Sequence, residues 1–342
     1  MLKALTAYIR REPWTFAMAA CLTIVMAASW FAPRAPRSAD TLSESGRLQT
    51  TQKIEALGKR LAEDDSARPA MMMVSLILTG LILIGSIWGT VWMGSIRRGE
   101  RWMDRFGDPR LLWGAGEIFK ALVLLFFLDL VLSTTLGYAL GFLGNGSMNI
   151  ALMTGSLLRS VLILMFLYRI AKRGGGGWTD LGWCLNRFWT QARWGLAGYL
   201  AMIPVYMFIL GVLMLVLSLL KMESPVQAPV QILYTESNTA ALWAFALFMG
   251  VLGPWFEEIL FRGFLYPVLR ARAGVWTGVL ATSILFAALH GHGIAFAPIL
   301  VLGLALNLLY ERSGSVIPGA VLHMTHNCAM LAVTFWIKGM SV

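Results

Sequence analysis

Long apolar runs recur along this chain, separated by shorter polar stretches. They fall at Trp14–Phe31 and at residues 70–95, 119–144, 150–170, 195–220, 240–256, 275–290, 294–310 and 315–337. A membrane-spanning helix needs roughly 20 apolar residues, so the pattern predicts an all-α, polytopic transmembrane helical bundle of about 8–9 spans. The runs at 240–256, 275–290 and 294–310 are short, and the first two carry or adjoin ionisable residues. Short or interrupted membrane helices of this kind often line a polar cavity.

The same pattern divides the chain. Residues 1–32 read as an N-terminal signal anchor, with Lys3, Arg10 and Arg11 ahead of the first apolar run. Residues 33–69 form a polar loop in which Leu48, Ile54, Leu57 and Leu61 suggest a short amphipathic helix. Residues 70–173 are membrane helices whose role the sequence does not reveal. Gly174–Gly177 make a flexible joint, and residues 178–342 hold all four histidines and form the candidate catalytic membrane core.

Composition sharpens the class. The chain is 58% apolar and 13% charged, against about a quarter charged in an ordinary soluble domain. The net charge of +10 resides in short loops between apolar runs. No basic module remains for a nucleic acid, and the cations suit anionic lipid head groups. The 96–110 loop holds Arg97, Arg98, Arg101, Arg105 and Arg110, and the 171–194 loop holds Lys172, Arg173, Arg187 and Arg193, whereas 145–149 holds no basic residue. This alternation places the two basic loops and the N-terminus on the cytoplasmic side of a cell membrane. Cys21, Cys184 and Cys328 are widely spaced and read as packing residues, with no disulfide framework and no thiolate metal site.

Three clusters carry chemistry. Trp255–Tyr266 reads WFEEILFRGFLY. Glu258 and Arg262 are four apart and share a helix face, a natural ion pair. Glu257 is rotated by about 100° from that face, which leaves it available for proton transfer in a site with little solvent. A purely structural glutamate–arginine clamp explains this cluster equally well when it is taken alone. His290 closes the run Phe286-Ala-Ala-Leu-His290, with His292 just beyond it. His323 and Asn327 are four apart in the last run and can donate hydrogen bonds to one oxygen. Taken in isolation, an interhelical clamp is the favoured reading of them. All of these residues lie within 257–327, on three helical runs that can pack around one cavity. Together they supply a base, a second proton-handling group and two oxyanion donors.

At these residues the sequence resembles the type II CAAX prenyl proteases, the CPBP family of intramembrane endopeptidases. The family's EExxxR, FxxxH and HxxxN motifs match Glu257-Glu258-x-x-x-Arg262, Phe286-x-x-x-His290 and His323-x-x-x-Asn327. The likeness covers about residues 240–335, and the stretch Ser313–Pro318 ahead of His323 shares it. The resemblance implies that Glu257 acts as general base on a water that His290 also holds. It implies that His323 and Asn327 stabilise the oxyanion, and that Glu258 and Arg262 orient the base. His292 and His326 lie outside the motifs and receive no role.

The implied activity is hydrolysis of a peptide bond in a lipidated or membrane-proximal peptide, by glutamate-activated water. The cofactor is then none, or a divalent metal such as zinc held by Glu257, His290 and His323, a set of two histidines and one carboxylate. HExxH is absent, so the metalloprotease motif of that type does not apply. Two other functions compete: a non-catalytic membrane immunity or assembly factor, and a proton-coupled transporter. The oxyanion pair speaks against the transporter. Outside the motifs, Asp129 and Arg159 interrupt apolar runs on neighbouring helices and are expected to pair.

Overall fold

The computed structural model describes residues 12–31, 52, 68–98, 103–143, 148–222, 230, 232–233, 236, 238–290 and 293–340. Leu48, Ile54, Leu57 and Leu61 of the expected amphipathic helix, and His292, fall outside that range. The described chain is a polytopic all-helical bundle. Its helices are α1 (Pro13–Phe31), α2 (Arg68–Arg97), α3 (Ala115–Leu143), α4 (Met148–Arg173), α5 (Phe188–Leu219), α6 (Thr239–Ala273), α7 (Val275–Leu289), α8 (Phe296–Ser313) and α9 (Val316–Met340).

Among the described residues six segments are long and apolar enough to cross a membrane, in α2, α4, α5, α6, α8 and α9, and α7 is a shorter apolar helix. The helices are not equivalent. Only 6% of the α2 segment is buried, against 44% in α8 and in α9. α2 is therefore peripheral, with Leu76, Leu83 and Ile87 exposed where lipid would lie. α8 and α9 sit at the centre.

The core has two apolar parts, one on each side of α6. Ile259, Phe264 and Tyr266 pack with Leu167, Leu181, Val279 and Tyr310. Phe261 and Leu265 pack with Phe286, Leu306, Leu309 and Leu322. Across the α7–α8 seam, the buried Asn307 donates to Ser283 Oγ at 2.8 Å and to the Gly303 carbonyl at 3.0 Å.

The run expected as a short span at 240–256 is instead the first half of α6, which continues for 35 residues to Ala273. At 1.5 Å per residue such a helix is about 52 Å long, well beyond the ~30 Å hydrocarbon layer. α6 is also not a uniform α-helix. It widens into π-helical turns at Phe248–Leu252 and Ile259–Leu265. Each ends two residues before a proline, Pro254 or Pro267, and the residue four before each proline is a glycine, Gly250 or Gly263. A proline lacks the N–H for the bond to residue i−4, and its ring crowds that carbonyl. A wider turn at this point accommodates the missing bond without ending the helix. Gly263 adds a packing reason, because a Cβ there would lie 2.2 Å from the Leu181 carbonyl oxygen.

The two basic loops that the charge pattern puts on one side do meet. Asp180 accepts hydrogen bonds from Arg110 N and Nε at 3.2 and 2.9 Å, and from Gly177 N at 2.9 Å. The hydrogen-bonded Arg110 guanidinium, with these backbone N–H groups, holds the Asp180 carboxyl below the usual carboxylate range against the opposing effect of burial. Arg187 pairs with Asp104 at 2.8 Å, and Phe106 N and Gly107 N donate to the Ser313 carbonyl at 2.7 and 3.3 Å. Residues 103–114 thus form a strap that ties the N-terminal helices to the end of α8. Elsewhere, Asp129 and Arg159 form the expected ion pair between α3 and α4.

Candidate active site

Glu257 and Glu258 lie between the two π turns of α6, and their surroundings differ. Glu258 is wholly buried, and Arg262, also wholly buried, donates from Nη1 to Glu258 Oε1 at 2.8 Å. Arg262 Nη2 reaches the Gly303 carbonyl at 3.4 Å, and its guanidinium lies 4.5 Å from the centre of the Phe286 ring. Stacking on an aromatic face offers a desolvated cation further compensation. Space for the Glu258 carboxylate depends on Gly319 in α9, where a Cβ would come within 2.7 Å of Oε2.

Glu257 points elsewhere. Its side chain is 35% exposed, and its Oε2 lies 3.7 Å from His290 Nε2 and 3.9 Å from His323 Nε2. Two imidazoles from two other helices therefore converge on one carboxylate oxygen. The partners of the other ring nitrogens fix how those imidazoles are used. His290 Nδ1 is 2.7 Å from the Phe286 carbonyl, which can only accept, so Nδ1 carries the proton. His323 Nδ1 is 3.1 Å from Glu258 Oε1. That oxygen also accepts from Arg262 Nη1, so this nitrogen donates as well. In both rings Nε2 is the nitrogen turned toward Glu257.

Phe286 is the common neighbour. Its ring packs on His290 at 4.5 Å, His323 at 5.7 Å and Phe261 at 5.1 Å between centroids. The FxxxH phenylalanine thus carries the His290 Nδ1–H on its own carbonyl and supports Arg262 and His323 with its face. His290 is the residue that terminates α7, which accounts for its half-exposed position.

Asn327 lies one turn beyond His323 on α9. Its Nδ2 donates to the Met249 carbonyl at 2.8 Å, and Cys328 Sγ approaches the Gly250 carbonyl at 3.6 Å. Both carbonyls belong to the first π turn. Asn327 therefore clamps α9 to α6 with one N–H, and the amide has a second N–H to donate. His326 is buried between Tyr206 and Tyr199, with ring centroids at 4.8 and 6.1 Å, and so faces α5.

Among the described residues no group of three or more His, Cys, Asp or Glu is placed to hold a metal ion. The imidazoles of His290 and His323 have the right second partners for ligands. Two zinc ligands at about 2.0–2.1 Å in tetrahedral geometry stand about 3.3 Å apart, closer than the 3.7 and 3.9 Å found here.

The π turns and the strap are what sequence reading missed. Two Gly-x-x-x-Pro sequences, Gly250–Pro254 and Gly263–Pro267, are the signal for the turns. For the strap, no signal is visible in the chain.

Residues 239–329 match the family described as type II CAAX prenyl endopeptidase Rce1-like, a segment that spans α6, α7, α8 and most of α9. The chain is also similar to a protein of Escherichia coli named "Uncharacterized 24.3 kDa protein", 29% identical over 134 residues. That alignment covers 38% of this chain and 58% of the relative, so this chain spans less than two thirds of the relative's length. No solved structure matches the chain. Residues 239–329, which hold all three motifs, are thus similar to the Rce1-like type II CAAX prenyl endopeptidases.

Proposed function

We propose that the chain is an intramembrane endopeptidase that hydrolyses a peptide bond in a lipidated or membrane-proximal peptide, with Glu257 as general base. The observation that carries the reading is the convergence of His290 Nε2 and His323 Nε2 on Glu257 Oε2, while Glu258 is taken up by Arg262.

The residues act in sequence. Glu257 accepts one proton of a water whose other proton is held on the His290 Nε2 lone pair. The water oxygen adds to the scissile carbonyl carbon, and the C=O pair moves onto oxygen. His323 and the second N–H of Asn327 donate to that oxyanion. Glu257 then returns its proton to the amide nitrogen, the C–N bond breaks, and an acid and an amine leave.

His323 can donate from Nε2 only as imidazolium, since Nδ1–H is already committed to Glu258. The position of the site on membrane helices supports a substrate bond at or within the lipid layer.

The decisive experiment compares newly formed peptide termini in membranes that contain wild-type protein or Glu257→Gln. The expected result is a set of termini lost in the variant while the protein inserts normally. Identical termini in both would sink the protease reading in favour of a non-catalytic membrane factor. Activity that survives a chelator is expected. Activity lost with stoichiometric metal would instead assign the metal to Glu257, His290 and His323.

A further inference from the structure

We propose that Trp113, on the strap ahead of α3, is a positioning residue for the Glu257 site, acting on the second π turn of α6. The proposal rests on the protease reading above and adds a residue from outside the family-matched segment.

Trp113 is 6% exposed. Its indole N–H donates to the Phe264 carbonyl at 2.8 Å, and its ring stacks on the Phe264 ring, with centroids 5.1 Å apart and planes 18° apart. Phe264 belongs to the π turn that begins directly after Glu258 and contains Arg262. Pro267 opens this turn locally, and contacts from its surroundings hold it in place. Two of these contacts come from earlier in the chain. The Leu181 backbone seats Gly263, and the Trp113 indole takes the next residue's carbonyl.

The indole is itself held firmly. Arg110, three residues earlier, is bonded to Asp180 through Nε and Nη2 at 2.9 and 3.2 Å. Gly114 N, one residue later, donates to Glu117 Oε2 at 3.1 Å, at the start of α3. Rotation or slippage of the π turn would carry Arg262 with it and, through Glu258 Oε1, the ring of His323. Trp113 touches none of the reacting groups and acts through this chain of contacts.

The test uses full-length protein in detergent, with two substitutions. Trp113→Phe keeps an aromatic ring and removes the donor. Benzothienylalanine at position 113 keeps the shape of the indole and replaces only the N–H with sulfur. Each is measured by amide hydrogen exchange across 259–265, and by kcat and KM on a quenched-fluorescent peptide spanning the bond found by the terminus comparison. Faster exchange confined to 259–265 is expected, with kcat lowered about 10- to 100-fold and KM little changed, the scale of a small misplacement of catalytic groups. Unchanged exchange in the benzothienylalanine protein would overturn the proposal, and so would faster exchange with unchanged kcat. Failure of the protease reading shows separately, as cleavage of the same peptide by Glu257→Gln.

Discussion

His323 Nδ1 lies 3.1 Å from Glu258 Oε1, the oxygen that also takes the Arg262 Nη1–H at 2.8 Å. One carboxylate oxygen, with no exposure to solvent, thereby holds a guanidinium and an imidazole. Removing the charge of Glu258 leaves Arg262 buried and uncompensated, a loss of about 3–5 kcal/mol for a broken buried pair. Glu258→Gln and Arg262→Gln should each lower the unfolding temperature in detergent sharply. The double variant should lose less than the sum of the two. Glu257→Gln, at a half-exposed carboxylate, should unfold within about 0.5 kcal/mol of wild type.

The two close-packed glycines should respond differently. A Cβ at position 319 meets a side-chain oxygen, Glu258 Oε2, at 2.7 Å, whereas a Cβ at 263 meets the Leu181 backbone oxygen at 2.2 Å. Side chains shift more readily than backbone. Gly263→Ala should reduce the yield of folded protein. Gly319→Ala should fold and lose cleavage, because the carboxylate that orients His323 must move. Equal folding and equal cleavage in both variants would refute the distinction.

Asp180 gives the strap a dependence on acid. Its folded-state carboxyl is held below the usual range by Arg110 first of all, with backbone N–H groups adding to the effect. A depressed folded value stabilises the fold above the unfolded value of about 3.9, and that stability is lost as pH falls through the folded value. The unfolding temperature of the wild type should therefore exceed that of Asp180→Asn above about pH 4 and converge on it below. Parallel curves across that range would show that Asp180 does not couple to folding.

The α3–α4 ion pair makes a further prediction. Asp129→Asn and Arg159→Gln should each destabilise the protein, and the double variant should cost clearly less than both together. Simple additivity would mean that the contact contributes nothing as a pair.

Much of the site was legible because helical spacing is a strong constraint. The four-residue interval from Glu258 to Arg262 survives even though a π turn begins between them. The Asp129–Arg159 pair follows from two apolar runs joined by a short loop. Asn327 was only half legible. Its spacing from His323 names it as a donor, but the Met249 carbonyl that it also clamps belongs to a π turn that hydrophobic periodicity does not reveal. The length of α6 was not legible, because the charged pair Glu257–Glu258 ends the apolar run at 256 while the helix continues through it to Ala273. Trp113 was beyond reach, because its partner is a backbone carbonyl 151 residues away, and no pattern of side chains records such a bond.

The i,i+4 pair of Glu258 and Arg262 also matters during synthesis of the chain. When α6 leaves the ribosome, Trp113 and Leu181 have already emerged, but His290 and His323 have not. A helix entering lipid with three charged residues near its middle, Glu257, Glu258 and Arg262, bears about 2.5–3.5 kcal/mol for each. Because Arg262 follows Glu258 by one turn, the nascent helix brings its own counter-ion and needs no later residue to neutralise it. Only Glu257 remains uncompensated at that moment, until the two histidines that face it in the finished protein arrive.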